Sequence, residues 1–241
     1  MKFWLGPKRV YIVTGAKNNQ AVLRNSGTMK GEDLILMAMA GINGMPSKDL
    51  AVWRADKSGR GHVSLDATPE ADRIWAASHR IFGTHMSSKA ATASMVSKFC
   101  EELTPRLERR PVGEWETLQL YEFLKHDVVE ASLVALAGPA LLRLNPGFID
   151  AMWDFDQHLF ILVCGVPRLF YRKGHESRDR YHEMGEKWLN WAFENYNWNG
   201  PDEDWDEVWG TRYARTYAKE MMDRGFGLRS RSGSSLSGIW A

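Results

Sequence analysis

The spacing of apolar residues from Thr68 onward constrains this chain more than any other feature. Between Glu114 and Ala137, Leu118, Tyr121, Leu124, Val128 and Leu133 recur at helical intervals. Thr68-Pro69-Glu70 reads as a helix start, with a capping hydroxyl, proline at the first position and acid in the first turn. That helix continues through Ala71 to Phe82, and Lys89 to Leu103 keeps the same period until Pro105. Asn145-Pro146 opens another helix through Phe148, Met152, Phe155 and Phe160, and two more run from about Glu176 to Tyr196 and from Glu203 to Met222. Strand propensity is confined to the front. Gly6-Pro7 is a turn, Arg9 to Val13 a short β-branched and aromatic strand, and Thr14-Gly15 opens a helix that ends at Ser26-Gly27. A second helix fits Glu32 to Gly41, and Ile42 to Asp66, with its glycines, Pro46 and mixed charge, reads as irregular loop. The expected architecture is mainly α with a small N-terminal β element, in one domain over residues 1–241.

Composition narrows function by exclusion. A formal net charge of +1 gives no footprint for nucleic acid. The two cysteines, Cys100 and Cys164, lie far apart with no CxxC spacing, so neither a disulfide framework nor a zinc site is expected. The N-terminus lacks the pattern of a signal peptide, and no apolar run reaches the roughly 18 residues of a membrane-spanning helix. The nearest approach is His158 to Tyr171, interrupted by Gly165, Pro167 and Arg168, which suits a buried helix end or a segment resting on a membrane surface.

Most chemical constellations have a plainer structural reading. Asp154 and His158 stand four apart, but with no further ligand pair they read as a solvated helix face, and His175 and His182, seven apart, read as surface histidines. Gly59-Arg60-Gly61 lacks both a preceding strand and a third glycine, Gly41 to Lys48 has the wrong spacing for a phosphate loop, and no GxSxG elbow occurs. Trp188, Trp191, Trp198, Trp205 and Trp209, five of the eleven tryptophans, read as the buried stripe of amphipathic helices. The acidic run Asp202 to Glu207 reads as a helix N-terminus. One group is more specific. Trp75 and His79 stand four apart on one helical face, with Arg80 beside them, and their indole, imidazole and guanidinium groups can all donate to a carboxylate.

Two stretches carry a family resemblance. GPKRVYIVTGAKNNQAVLRNS resembles the first β hairpin and B helix of fungal cytochrome P450 enzymes, the heme-thiolate monooxygenases. Leu120 to Lys173 is similar to their D to F helix region, through the Gly-Pro after an alanine-rich helix, the Asn-Pro opening the next, Asp156 in WDFD and the GVPR turn. The likeness is greatest to the branch distantly akin to sterol 7-alpha-hydroxylases and prostacyclin synthases. The family's C helix carries Trp-x-x-x-Arg, which binds a heme propionate; Trp75-Ala-Ala-Ser-His79 keeps the spacing, with histidine at the arginine position and Arg80 next to it. The resemblance therefore implies a heme cofactor held in part by Trp75, His79 and Arg80.

The resemblance also implies that SLSGIWA, reached through a serine- and glycine-rich linker, is the first part of the family's I helix, so that the chain covers an N-terminal half truncated there. The ExxR motif and the Phe-Gly-Arg-Cys-Gly loop of the iron-ligating thiolate are expected beyond it. Glu70 to Arg73 spells ExxR far upstream of the family's position, Cys164 lacks the flanking residues of a heme ligand, and Cys100 sits mid-helix. The complete enzyme would insert one oxygen atom into an apolar small molecule, drawing electrons from an NADPH-dependent reductase. It would work on the cytosolic face of the endoplasmic reticulum membrane, with Ile42 to Asp66 lining substrate and His158 to Tyr171 facing the membrane. The fragment alone would be inactive. The rival reading is a helical module without chemistry that binds an apolar ligand or a protein partner.

Overall fold

The computed structural model describes residues 2–5, 8–25, 31–113 and 115–236 and is mainly helical. The expected turn at Gly6-Pro7, the helix end at Ser26-Gly27 and the apolar start at Ile239 and Trp240 lie outside the described residues.

The front is a hairpin rather than a lone strand. β1 (Lys2–Leu5) pairs antiparallel with β2 (Lys8–Tyr11), Lys2 opposite Tyr11 and Leu5 opposite Lys8. Such a ribbon is marginal alone in water, and α1 (Ala16–Arg24), which follows it, buries none of its residues. α2 (Glu32–Gly41) falls where its apolar residues predict. The stretch expected to be loop holds a further helix, α3 (Ser47–Ala55), starting after Pro46 and burying Leu50 and Trp53. Proline and flanking charge hid it, because Leu50, Val52 and Trp53 are too few to display a period.

α4 (Ile74–His85) begins later than Thr68-Pro69-Glu70 predicts. Both the amide and the hydroxyl of Thr68 donate to Asp66 Oδ1, so the hydroxyl caps nothing. Glu70–Asp72 makes one 3₁₀ turn, and Arg73 at ψ 78° breaks the path before α4. α5 (Lys89–Glu108) is capped by Ser88 and runs through Pro105 rather than stopping before it. α6 (Leu120–Phe123) passes through a π-helical turn at Leu124–Val128 into α7 (Val129–Ala137).

After α8 (Pro139–Leu144), two helices, α9 (Phe148–Asp156) and α10 (Leu159–Val163), replace the single one expected from Asn145 through Phe160. The Asn145 amide donates instead to Leu141 O and Met184 O, both at 3.0 Å, and so ties α8 to α11 (Arg172–Asn195).

The acidic run is not a helix start. β3 (Trp205–Asp206) and β4 (Gly210–Thr211) form a small hairpin, and α12 (Arg212–Asp223) begins only after it. Asp202 and Asp206 pair with Arg215, which is almost fully buried, and Arg212 takes Asp202 and Asp204. Side-chain pairing thus outcompetes the helix dipole for these carboxylates. Trp205 and Trp209 lie in this hairpin rather than on a helical face. The hairpin sits on the end of α7 where Gly138 and Gly210, at φ 73° and 70°, let the two backbones meet. α13 (Leu228–Leu236) replaces the expected linker. Its serines are buried, and the Ser230 hydroxyl together with the Gly227 amide satisfies buried Asp49.

Two cores result. The larger holds Leu133, Phe148, Phe155, Tyr181, Trp188 and Trp209. The smaller joins α2, α3, α4 and α12 through Leu36, Trp53, Trp75, Tyr213 and Met221. α12 serves both, with Ala214 and Ala218 turned to the first and Tyr213 and Tyr217 to the second.

Candidate functional site

The outer edge of the smaller core carries a basic cavity of about 360 Å³, lined by Arg60, His62, Glu70, Arg73, His79 and Arg80 among others. Its base is the face of α4 that carries Ala76, His79, Arg80 and Gly83. Asp56 Oδ2 accepts the Trp75 amide at 3.0 Å and Oδ1 the Ser58 amide at 2.8 Å, so one carboxylate joins the end of α3, the loop and the start of α4.

The three sequence candidates are not brought together. Trp75 is 5% exposed and meets Trp53 edge to face at 4.7 Å. Its indole N–H donates to Trp53 O at 3.0 Å. That donor is already spent inside the core, and Trp75 is not among the lining residues of the cavity. His79 and Arg80 are exposed and do line it. Helical spacing placed Trp75 and His79 on one side, but the loop from Ala55 to Arg73 covers the first turn and leaves the second open.

Two arginines were missed. Arg73 is 3% exposed; its guanidinium donates to Gly61 O, His62 O and Glu70, and so pins the loop to the helix. Arg60, in that loop, lies over the Trp75 ring at 5.2 Å from its centroid. Its nearest acid, Glu32, is 3.7 Å away, too far for a hydrogen bond, and Arg60 Nε and Nη2 are buried without a partner. Arg73 Nε is unpartnered as well. Glu70 accepts from both Arg80, at 2.7 Å, and Arg73, and these two bonds hold its carboxyl below the usual carboxylate range. The one acid on the cavity wall is therefore neutralised twice over, and the site favours an anion. Only the Gly59-Arg60-Gly61 spacing pointed there, and it suggested phosphate loops that the fold does not build.

An anion such as a carboxylate suits this recess, which Arg60, Arg73 and Arg80 line with a single, already paired acid among them. Such a lining fits the acidic end of a cofactor, with the Trp75 N–H already engaged by Trp53 O. Among the described residues no cluster of three or more His, Cys, Asp or Glu is placed to hold a metal ion. Cys100 is exposed on α5 and Cys164 half-buried after α10.

A second recess of about 380 Å³ lies between α2 and the end of α10, where Met37, Ala40, Leu162, Val163 and Cys164 give it an apolar wall. Phe160, Leu169 and Phe170, at 75%, 87% and 77% exposure, stand out on the same segment. No helix among the described residues is long and apolar enough to cross a membrane.

No family model and no solved structure matches this chain. Curated relatives do. The cytochrome P450 monooxygenase calL of Penicillium decumbens is 35% identical over 220 residues, which cover 89% of this chain and 41% of that protein. The cytochrome P450 monooxygenases fsoE of Humicola fuscoatra and efuG of Hormonema carpetanum are 32% and 29% identical over 132 residues, 53% of this chain and 23% of each relative. The chain thus spans well under half the length of the curated relatives it matches, and those relatives are fungal cytochrome P450 monooxygenases.

Proposed function

We propose that these residues form part of a heme-dependent monooxygenase and supply the carboxylate-binding edge of its cofactor pocket. The observation that carries this reading is the basic recess on α4, where Arg60, Arg73 and Arg80 gather at a helix with the Trp-x-x-x spacing of the family's propionate site. The similarity to the P450 relative over most of the chain supports it. Bound heme supplies the oxygen-activating chemistry. The residues of this chain hold and orient the cofactor's acidic rim: Arg60 and Arg80 attract the anion, Arg73 fixes the loop, and Trp75 gives the edge a rigid floor.

The whole enzyme, on this reading, inserts one oxygen atom into an apolar small molecule and takes electrons from an NADPH-dependent reductase. That small molecule is, on this reading, a sterol, a lipid or a secondary metabolite. The recess beside Met37 and Leu162 would line the substrate path. Phe160, Leu169 and Phe170 would meet the cytosolic face of the endoplasmic reticulum membrane, since large exposed apolar side chains clustered on one segment mark a contact surface.

Neither cysteine suits the ligand role, Cys100 being solvent-facing on a helix and Cys164 lacking the glycine-rich frame that would present a thiolate. The 241-residue chain on its own is therefore expected to be catalytically silent. Reconstitution with hemin, reduction and exposure to carbon monoxide tests this. The expected spectrum lacks the Soret band of a thiolate-ligated carbonyl complex, and its appearance would refute the assignment of the cysteines.

A further inference from the structure

We infer that the recess between α2 and the end of α10 is a binding site for a long-chain carboxylate, with Arg178 taking the acid end. The inference rests on the reading of that recess as part of the substrate path only in treating the ligand as substrate. Three observations carry it. The first is the lining: a cavity of about 380 Å³ walled by Met37, Ala40, Leu162 and Val163, with His175 and Arg178 as its charged or basic groups. An apolar chamber with few convergent polar groups is the usual anatomy of a small-ligand site, and about 300–1,000 Å³ its usual volume. The second is charge. No carboxylate lines the recess. Beside it Arg168, Arg178 and Arg229 all pair with Asp179, and Arg229 also takes Glu186, so three guanidinium groups meet two acids. The third is spare donor capacity. Arg178 Nε and Nη2 donate to Asp179 Oδ1 and Nη1 to Gly41 O, which engages three of its five N–H groups among the described residues.

The same contacts build the recess and set the guanidinium in place before a ligand arrives. α2 and α10 meet at Gly41, where a Cβ would stand 2.2 Å from Leu162 O, so bare backbone closes one side. The His175 Nε2–H donates to Val166 O at 2.9 Å and ties the stretch after α10 to α11 as a wall. Gly44, at φ 61°, leaves space against which the Arg178 guanidinium rests, since a Cβ there would come within 3.1 Å of it. Fixed donors of this kind cost little further ordering on binding. A carboxylate matches the remaining N–H groups and the excess positive charge. A neutral alcohol offers no charge to the site, and an ammonium group is repelled by it. The alkyl chain gains by leaving water along Met37, Leu162 and Val163.

The test uses dodecanoate, dodecanol and dodecylammonium, which share one chain and differ in the end group. Each is titrated below its micellar concentration into the 241-residue chain, and calorimetry gives the dissociation constants. Peptide mass spectrometry follows alkylation of Cys164, which lines the recess, with the exposed Cys100 as internal control. Dodecanoate is expected to bind roughly tenfold or more tighter than the other two and to slow alkylation at Cys164 alone. Arg178→Gln should bring dodecanoate down to the affinity of dodecanol, and Arg178→Lys should keep part of the preference, because lysine supplies the charge without the fork. The wild-type comparison decides by itself if Arg178→Gln, which also gives up Gly41 O and Asp179, fails to fold. Equal affinity for the three ligands, no binding, or dodecanoate that leaves Cys164 as reactive as before overturns the inference. So does a preference that survives in folded Arg178→Gln. Hemin titrated into the same chain keeps the two readings apart: loss of the carboxylate preference with hemin still bound sinks this inference alone.

Discussion

His182 shows how a single buried residue sets a property of the whole chain. It is 1% exposed on α11, and its Nε2–H donates to Ile42 O at 3.0 Å, linking α11 to the end of α2. Burial, outweighing that bond, lowers its pKa from 6.5 to about 4. The ring is neutral in the fold, so the unfolded chain takes up a proton first as the pH falls. Stability is full above about pH 6.5 and declines toward pH 4, by about 3 kcal/mol in all. Asp179, whose burial alone would raise its carboxyl but whose bonds to Arg168 and Arg178 together with the nearby arginine charges hold it below its usual value, loses its own contribution only at still lower pH. Urea unfolding at pH 7.5, 6 and 5 should show the decline, and His182→Gln should remove the slope over that interval. An unchanged slope in the variant would assign it to other groups. The surface reading of His182 fails, as does that of His158, which is also buried, because a histidine in a helical stripe looks the same whether its outer neighbour is water or another helix.

Among the elements, long amphipathic helices were legible and short polar ones were not. α4, α5 and α11 follow from periodicity, with ends displaced by a few residues, that of α4 where Asp66 takes the Thr68 donors. α13 was illegible because LRSRSGSSL has no apolar stripe to display. It is buried through small size instead. Gly185 on α11 leaves no room for a Cβ against Leu236 and the Ser232 hydroxyl, so these side chains of α13 rest directly on the α11 backbone. Gly185→Val should therefore cost about 2 kcal/mol by overpacking. As a control, Gly83→Ala, where a Cβ meets nothing within 4 Å on an exposed helical position, should gain about 0.5–1 kcal/mol. Thermal or urea melts of the two variants check both signs; a neutral Gly185→Val would mean that α13 is not packed as described. The candidate site was half legible for a related reason. Its second helical turn, His79 and Arg80, is read from spacing on one helix, whereas Arg60 reaches the cavity from a loop that only the tertiary fold brings over Trp75.

At the scale of the whole molecule, α12 joins the two cores, and the basic recess lies on the free edge of the smaller one. Tyr217 meets the Ser78 hydroxyl at 3.4 Å and Arg224 donates to Ala71 O at 2.6 Å, so α4 and the turn before it are braced from behind while the loop side stays open. A rigid helix with an open, positively charged front is the form a cofactor edge requires, since the donors are then set before the anion arrives. The apolar segment with Phe160, Leu169 and Phe170 is a separate region on another set of helices, which makes the two surfaces distinguishable in one experiment. Hydrogen–deuterium exchange of the 241-residue chain with and without hemin is that experiment. The account predicts slowed exchange between residues 58 and 85, covering the loop and α4, with little change at 159–171. Protection confined to 159–171, or none between 58 and 85, would contradict it.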